Sequence, residues 1–214
     1  VGELNANAVA RALGLPDTQG EAIPEIVAPR PPALCLGCPH IDSYKALNEA
    51  MEPYGKGKVF ADIGCYTLGA LPPYNAIFSC VDMGASITMA KGASDAGLNP
   101  TVAVIGDSTF CHSGITSLFD CVMENTPITI IILDNSTTGM TGGQKSHGVG
   151  RLESICLGLG VEKEHIHMLN PLPNNHKQNT EIIKQELMYK GVSVIIPQRE
   201  CVQTLKRRLR KQRK

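Results

Sequence analysis

Ile128-Thr-Ile-Ile-Ile-Leu133 is a continuous apolar run that is bounded by Pro127 and Asp134. A short run of this β-branched composition is typical of a strand that is buried on both faces of a sheet. A second such run, Thr101-Val-Ala-Val-Ile105, lies before it, and residues 114–124 between them have helical spacing. Two buried strands joined by one helix predict a parallel βαβ unit.

The rest of the chain repeats this alternation. Helices are predicted at residues 42–51, 84–96 and 179–189, and strands at residues 58–63, 164–169 and 192–196. We therefore predict an α/β fold with a doubly wound, mostly parallel sheet and helices on both faces.

The chain is expected to have three parts. Residues 1–32 are predicted to be an N-terminal linker segment with a short helix at 5–13 and four prolines in 24–32. Residues 33–205 are predicted to form the globular domain, and residues 206–214 to form a basic tail.

Composition limits the classes of protein that fit. The 214 residues are 43% hydrophobic, which is ordinary for a globular domain, and no apolar run is long enough to cross a membrane. The first residues have no signal-peptide pattern, and because the chain does not begin with Met we expect a processed product, an excised domain or one segment of a longer protein. Eight cysteines without an export signal favour metal or redox chemistry over disulfides, and we expect a cytoplasmic protein.

The basic tail makes the charge uneven although the net charge is zero. Seven of the 20 Lys and Arg residues lie in residues 206–214. Two interpretations remain open: a solvated helix end, or a docking surface for an acidic partner such as ferredoxin or another subunit. Nucleic acid is a poor candidate partner, because no aromatic residue is interleaved with these charges.

Two polar loops follow the two central strands. The first, residues 106–114, offers the Asp107 carboxylate and the hydroxyls of Ser108 and Thr109. The second, residues 134–144, offers the Asn135 amide oxygen and the main-chain carbonyl of Thr137. Mg²⁺ prefers such hard oxygens and shares them with phosphates, and a helix N-terminus attracts anions. Each loop alone is compatible with plain turns, whereas the pair on neighbouring strand ends predicts a metal-diphosphate site.

A resemblance to a known family rests on longer strings. Gly106-Asp-Ser-Thr-Phe-Cys-His-Ser-Gly114 and Thr137-Thr-Gly-Met-Thr-Gly-Gly-Gln144 resemble the thiamine-diphosphate motif of the indolepyruvate:ferredoxin oxidoreductases. The opening Val1-Gly-Glu-Leu4 and the string Arg30-Pro-Pro-Ala-Leu-Cys-Leu-Gly-Cys-Pro-His40 also resemble the large (alpha) subunit of these members of the 2-oxoacid:ferredoxin oxidoreductase family. The resemblance extends to about Cys201.

The resemblance implies a thiamine-diphosphate-binding fold and its site residues. Magnesium ligands are implied at Asp107, Asn135 and Thr137. Contacts with the diphosphate or the thiazolium are implied at Gly64, Cys65, Gly84, Gly106, Ser108, Thr109, Met140 and Thr141. His40 and His112 lie in the motif regions and are candidates for proton transfer, with a structural role as the equal alternative for each. His165, His167 and His176 are predicted to be structural.

The cysteines form a second group of candidate metal ligands. Cys35-Leu-Gly-Cys38 alone is compatible with zinc, a dithiol or an iron–sulfur cluster. The resemblance implies that Cys35, Cys38, Cys65 and Cys201 hold a 4Fe-4S cluster; zinc or free thiols remain the alternative. The other four cysteines, Cys80, Cys111, Cys121 and Cys156, are predicted to be core residues.

Three departures from the family pattern stand out. Ile41 lies where the family usually has Arg, and Glu200 precedes the last cysteine where Pro is expected. The basic tail lies where the alpha subunit continues into a ferredoxin-like domain.

The implied reaction is the coenzyme A-dependent oxidative decarboxylation of a 2-oxo acid, which is expected to be an aryl pyruvate. Electrons would pass through the cluster to ferredoxin. A pyrimidine-binding domain in another chain or segment would supply the activating glutamate, and a gamma- or beta-type subunit is a further expected partner. Two alternatives remain: a subunit of a non-oxidative decarboxylase of the sulfopyruvate or phosphonopyruvate type, and a non-catalytic subunit that binds partners.

Overall fold

The computed structural model describes residues 4–18, 20, 22, 24–28 and 31–212. Two compact units are present, residues 1–32 and residues 33–214. The first unit contains helix α1 (Ala6–Ala12), whose first turn is capped by Asn5 because the Asn5 side chain accepts a hydrogen bond from the Ala8 amide. The opening residues 1–3, Arg30 and the last two tail residues, which the sequence predictions included, lie outside the described residues.

The second unit is built on one parallel sheet. Its six strands have the order β2-β1-β3-β4-β8-β7, and every neighbouring pair is parallel. They are β1 (Val59–Ala61), β2 (Ser79–Cys80), β3 (Val102–Gly106), β4 (Ile128–Leu133), β7 (Ile166–Leu169) and β8 (Val192–Pro197). The remaining strands, β5 (Thr137–Thr138) and β6 (Gln144–Lys145), pair antiparallel in a small hairpin after β4.

Helices cover both faces of the sheet. They are α2 (Pro39–Met51), α3 (Ala85–Asp95), α4 (Asp107–Thr109), α5 (Ile115–Met123), α6 (Leu152–Gly158), α7 (His176–Met188) and α8 (Val202–Gln212). One apolar cluster joins α2 and α7 to the sheet, and a second joins α3, α5 and α6 to it. Strand β3 contributes side chains to both clusters: Val104 belongs to the first, and Ala103 and Ile105 belong to the second. The predicted doubly wound fold is confirmed.

Several element boundaries differ from the sequence predictions. Helix α2 begins at Pro39 rather than at residue 42, since Pro is favoured in the first turn, where its missing N–H costs nothing. Strand β1 is shorter than predicted and ends at Ala61. Helix α6 and the β5–β6 hairpin were not predicted. Helix α8 begins at Val202, so the described part of the basic tail continues a helix that starts inside the predicted domain.

The parallel sheet brings four functional segments to one edge. Strands β1, β3, β4 and β8 all end there, immediately before the turns that carry Gly64, Asp107, Asn135 and Cys201. Among the described residues, no helix has both the length and the apolar character needed to span a bilayer. The candidate site therefore lies where parallel α/β sheets bind their ligands.

Candidate cofactor site at the carboxyl edge of the sheet

A cavity of about 290 Å³ lies at the carboxyl ends of β1, β3 and β4. It brings together most of the residues that the sequence analysis selected. The selected residues that line it are His40, Gly64, Cys65, Gly106, Asp107, Ser108, Thr109, Asn135, Thr137, Met140 and Thr141. Of the residues selected for cofactor binding or proton transfer, Gly84 and His112 do not line it.

Asp107 presents an unpaired oxygen in this cavity. The residue is buried, and its Oδ2 atom has no hydrogen-bond partner. Burial and the nearby Asp134 carboxylate raise the pKa of Asp107 to about 7, because both disfavour a second negative charge here. A bound cation would remove both penalties, so this donor fits a metal ion.

The position of Asp107 also suits an anion. Helix α4, a π-helical turn (Phe110–Gly114) and α5 follow one another without a break, so Asp107 stands at the beginning of a long helical run. The first amides of such a run attract anions such as a diphosphate. The cavity therefore combines a carboxylate for a cation with a helix N-terminus for an anion.

Asn135 is held in one orientation by two hydrogen bonds. Its Oδ1 accepts from the Thr137 amide at 3.1 Å, and its Nδ2 lies 3.3 Å from Nε2 of His40. Since Nδ2 can only donate, Nε2 of His40 accepts, which assigns the His40 proton to Nδ1. Burial and the Arg199 charge lower the pKa of His40 to about 4, so this histidine is neutral at physiological pH.

The hydroxyls of the first loop connect three strand ends. Ser108 Oγ lies 2.8 Å from Thr138 Oγ1 in the loop after β4. Thr109 Oγ1 donates to the Ile63 carbonyl after β1 at 3.2 Å. The three loops around the cavity are thus hydrogen-bonded to one another.

Tyr66 lines the cavity and Asp62 holds its hydroxyl, and neither residue is among those selected from the sequence. Asp62 is fully buried and accepts hydrogen bonds from Gly84 N (3.1 Å), Ser86 N (3.2 Å), Ser86 Oγ (2.6 Å) and the Tyr66 hydroxyl. The Tyr66 ring lines the cavity and lies against Gly106, where an added Cβ would be 2.5 Å from Tyr66 Cε1. The signal was available, because an aspartate follows β1 just as Asp107 follows β3.

Gly84 and His112 have positions different from those expected. Gly84 begins α3 with a φ of 97°, and an added Cβ would lie 2.5 Å from Ser113 Cβ, so the turn itself requires glycine here. His112 is exposed, and its Nδ1 lies 2.6 Å from Ser113 Oγ. Neither residue reaches the cofactor cavity.

A second cavity of about 180 Å³ lies beside the first. Its lining includes all four cysteines that were assigned to a cluster, Cys35, Cys38, Cys65 and Cys201. All four are free thiols. Burial, followed by the neighbouring thiols, raises the pKa of Cys38 to about 11 and raises the pKa of Cys65, because adjacent thiolates repel.

The two cavities have a common wall. His40, Cys65, Asn135 and Gly139 line both of them. The Cys201 amide donates to the Asn135 carbonyl at 3.0 Å, which attaches the beginning of α8 to the end of β4. In the described part of the chain, no three His, Cys, Asp or Glu side chains are already arranged around a metal position.

The remaining cysteines correct one prediction. Cys121 and Cys156 are buried core residues as predicted, and Cys111 is partly buried. Cys80 is exposed, because it lies on β2 at the edge of the sheet. The prediction of a core position for Cys80 is wrong.

Residues 62–196 match the family described as "Thiamine pyrophosphate enzyme, C-terminal TPP binding domain". The chain belongs to this family. The matched residues include the β1, β3 and β4 loops and therefore the described lining of the cofactor cavity except His40. Cys35, Cys38 and Cys201 lie outside the matched residues, so the cysteine cavity is formed largely by segments that flank the TPP-binding domain.

Relatives of this TPP-binding chain carry a common name. It is 35% identical over 212 residues to "Indolepyruvate oxidoreductase subunit IorA" of Archaeoglobus fulgidus, covering 90% of this chain and 33% of that protein. It is 38% identical over 188 residues to the protein of the same name from Methanothermobacter marburgensis, covering 81% of this chain and 30% of that protein. The chain thus spans about a third of the length of these curated relatives.

Solved structures support the fold of the TPP-binding domain. The 2-oxoglutarate:ferredoxin oxidoreductase from Magnetococcus marinus aligns with a TM-score of 0.65 and 20% identity, over 81% of this chain and 66% of that chain. The thiamine diphosphate-dependent 4-hydroxybenzoylformate decarboxylase of Rhodococcus jostii aligns with a TM-score of 0.55 and 17% identity, over 90% and 38%. Oxidative and non-oxidative enzymes therefore share this architecture.

Proposed function

We propose that this chain is the thiamine-diphosphate- and Mg²⁺-binding part of a 2-oxoacid:ferredoxin oxidoreductase whose substrate is an aryl pyruvate such as indolepyruvate. The observation that carries the proposal is the common wall between the cofactor cavity and the four-cysteine cavity. Such a wall would let electrons released at one site pass directly to the other. Similarity to the IorA subunits supports the choice of substrate class.

The residues around Asp107 fit a magnesium ion. The unpaired Oδ2 of Asp107, the oriented amide oxygen of Asn135 and the main-chain carbonyl of Thr137 are the three protein ligands in this proposal. Hard oxygens of this kind suit Mg²⁺, which would complete its coordination with diphosphate oxygens and water. Ser108, Thr109 and Gly106 would contact the diphosphate, and Met140 and Thr141 would lie against the rest of the cofactor.

Thiamine diphosphate, when bound, supplies the carbon nucleophile and the electron sink for decarboxylation of a 2-oxo acid. His40 is the histidine that we propose for proton transfer, because it is neutral and lines the cavity. The second candidate, His112, is exposed and outside the cavity, so we propose no catalytic role for it.

The four-cysteine cavity fits an iron–sulfur cluster. Four thiols around an open volume of about 180 Å³ can hold a group larger than a single ion, and Cys₄ is the usual ligand set of such clusters. A zinc site would need all four sulfurs about 2.3 Å from one metal position. The cluster would take electrons singly and pass them to ferredoxin, while coenzyme A accepts the acyl group. Such oxygen-sensitive chemistry suits the reducing cytoplasm.

We propose that a partner completes the site. The described lining of the cofactor cavity contains no glutamate. We propose that the glutamate that activates the cofactor comes from a pyrimidine-binding domain, either in another chain or in another part of a longer protein, together with a gamma- or beta-type subunit.

Two other functions are less well supported. A non-oxidative 2-oxoacid decarboxylase subunit has the same fold but no need for the cysteine cavity. A non-catalytic partner-binding subunit has no need for an unpaired buried carboxylate at Asp107.

Metal analysis of the anaerobically purified enzyme tests the proposal. Wild type, Cys38→Ser and Cys80→Ser are compared, because Cys38 lines the cavity and Cys80 is an exposed thiol outside it. Cys38→Ser is expected to lose about four iron and four sulfide atoms per chain, the content of one cluster, while Cys80→Ser loses none. Equal iron in all three proteins, or zinc in place of iron, would contradict the cluster and favour a non-oxidative enzyme.

A further inference from the structure

The first two turns of α8 form part of the cysteine cavity. Val202, Gln203, Thr204 and Arg207 line it. The Gln203 side chain donates from Nε2 to Cys35 Sγ at 3.3 Å. At this distance Gln203 makes a direct hydrogen bond to Cys35, which is one of the proposed cluster ligands.

Arg207 lines the cysteine cavity and is bonded to the loop that borders the cofactor cavity. Its Nη1 donates to the Gly142 carbonyl at 3.1 Å. Gly142 belongs to the turn after Gly139, Met140 and Thr141, which line the cofactor cavity. The guanidinium is therefore held by a backbone contact instead of moving freely in solvent.

The charge of Arg207 is not neutralised locally. Among the described residues, no carboxylate lies within salt-bridge distance of it, whereas the next residue, Arg208, pairs with Glu200 at 2.6 Å. Arg207 and Cys35 are both exposed, so solvent screens part of this charge, and its effect on the cavity depends on how close the guanidinium lies.

One-electron reduction adds one negative charge to the group that the thiolates hold. Hydrogen bonds to the sulfurs and nearby positive charge stabilise that extra charge and raise the reduction potential. We propose that Gln203 and Arg207 tune the reduction potential of the four-cysteine site, Gln203 through its bond to Cys35 and Arg207 through its charge. This inference rests on the proposed function, because it needs a redox group in the cavity.

Reduction potential, measured by an anaerobic titration of the assembled enzyme followed by electron paramagnetic resonance, tests the inference. The signal of this site is identified as the one that Cys38→Ser removes. Arg207→Gln and Gln203→Leu are each expected to make reduction about tenfold less favourable, which is about 59 mV for one electron. Lys211→Gln is the matched control, since it removes one charge from the exposed end of the same helix.

Arg207→Lys separates charge from geometry. Since Lys retains the charge, most of the wild-type potential is expected to return. Three results would overturn the inference: an unchanged potential in Arg207→Gln and Gln203→Leu, the same shift in Lys211→Gln, or the same shift in Arg207→Lys. Iron and sulfide content distinguishes this failure from failure of the proposed function. Wild type without a cluster contradicts the proposed function. Variants with full iron content and an unchanged reduction potential contradict only the tuning by Gln203 and Arg207.

Discussion

Ser108 Oγ and Thr138 Oγ1 lie 2.8 Å apart, so the loop after β3 is hydrogen-bonded directly to the loop after β4. This contact fixes the proposed magnesium ligands of the two loops relative to each other before any ligand binds. A metal site that is held in this way loses little conformational entropy on binding.

Asp107→Asn is expected to separate binding from stability. Loss of the carboxylate should weaken Mg²⁺-dependent binding of thiamine diphosphate by about 3 kcal/mol, or roughly 100-fold, because a buried charge partner is removed. The ligand-free protein should be at least as stable as wild type, since the buried Oδ2 of Asp107 has no hydrogen-bond partner. Calorimetric titration and urea unfolding measure the two effects.

The same experiment has two controls. Asp120→Asn changes an exposed carboxylate on α5 and should alter neither property. Chelation of Mg²⁺ should lower the affinity of wild type to that of Asp107→Asn. If Asp107→Asn binds the cofactor as wild type does in the presence of Mg²⁺, Asp107 is not a metal ligand.

Gly106→Ala and Gly92→Ala are expected to have opposite effects on stability. A Cβ at Gly106 would overlap the Tyr66 ring at 2.5 Å, which should cost about 1–3 kcal/mol and displace a ring that lines the cofactor cavity. Gly92 lies within α3 with nothing near its added Cβ, so alanine should stabilise the helix by up to about 1 kcal/mol. Chemical unfolding of both variants measures the difference in the free energy of unfolding. Equal stabilities would show that the Tyr66 ring moves aside at no cost in free energy.

Glu186 is expected to be a stabilising residue of the β7–α7 face. Its buried carboxylate pairs with His165 Nδ1 at 2.9 Å and His167 Nε2 at 2.7 Å. Glu186→Ala should cost about 1–3 kcal/mol, because it leaves both rings without this acceptor. Glu181→Ala, an exposed glutamate on the same helix, should change the free energy of unfolding by less than about 0.5 kcal/mol. A comparable loss in both variants would attribute the effect to the helix and not to the histidine pair.

Because the Cys156 thiol is buried, we predict that the free energy of unfolding falls at alkaline pH. Burial raises its pKa to about 12 from the ordinary 9.0, so the folded chain retains the thiol proton more tightly than the unfolded chain does. The stabilisation is therefore complete below pH 9 and declines as pH rises toward 12, by about 2 kcal/mol between pH 8.5 and 10.5. The free energy of unfolding of Cys156→Ala should decline less steeply over this interval. Parallel slopes for both proteins would show that this thiol does not contribute.

Local sequence was sufficient for the elements with strong patterns. Strand β4 was predicted to the residue, because a short run of only apolar, mostly β-branched residues is typical of a strand that is buried on both faces. The position of Asp62 after β1 is visible in the sequence, but its contacts with Gly84 and Ser86, 22 and 24 residues away, are encoded by no local pattern. The basic tail was read either as a solvated helix end or as a docking surface, and the described part of it is the end of α8, which begins at Val202.

The candidate site was predictable in part. The residues of the cofactor cavity follow strands whose ends meet at one edge, so parallel topology alone brings them together. The contact between Cys35 and Gln203 joins residues 168 positions apart and depends on where α8 begins. His112 was placed in the site by its motif, although the helical turn directs it to solvent.

The common wall also limits how this scaffold can be redesigned. His40, Cys65, Asn135 and Gly139 face two chambers at once, so widening the first chamber for a bulkier cofactor or substrate would change the shape of the second. To change the first chamber without disturbing the proposed electron transfer, substitutions should begin at Met83 or Ile63, which border the first chamber and not the second. A substitution at the boundary between the chambers therefore changes both of them.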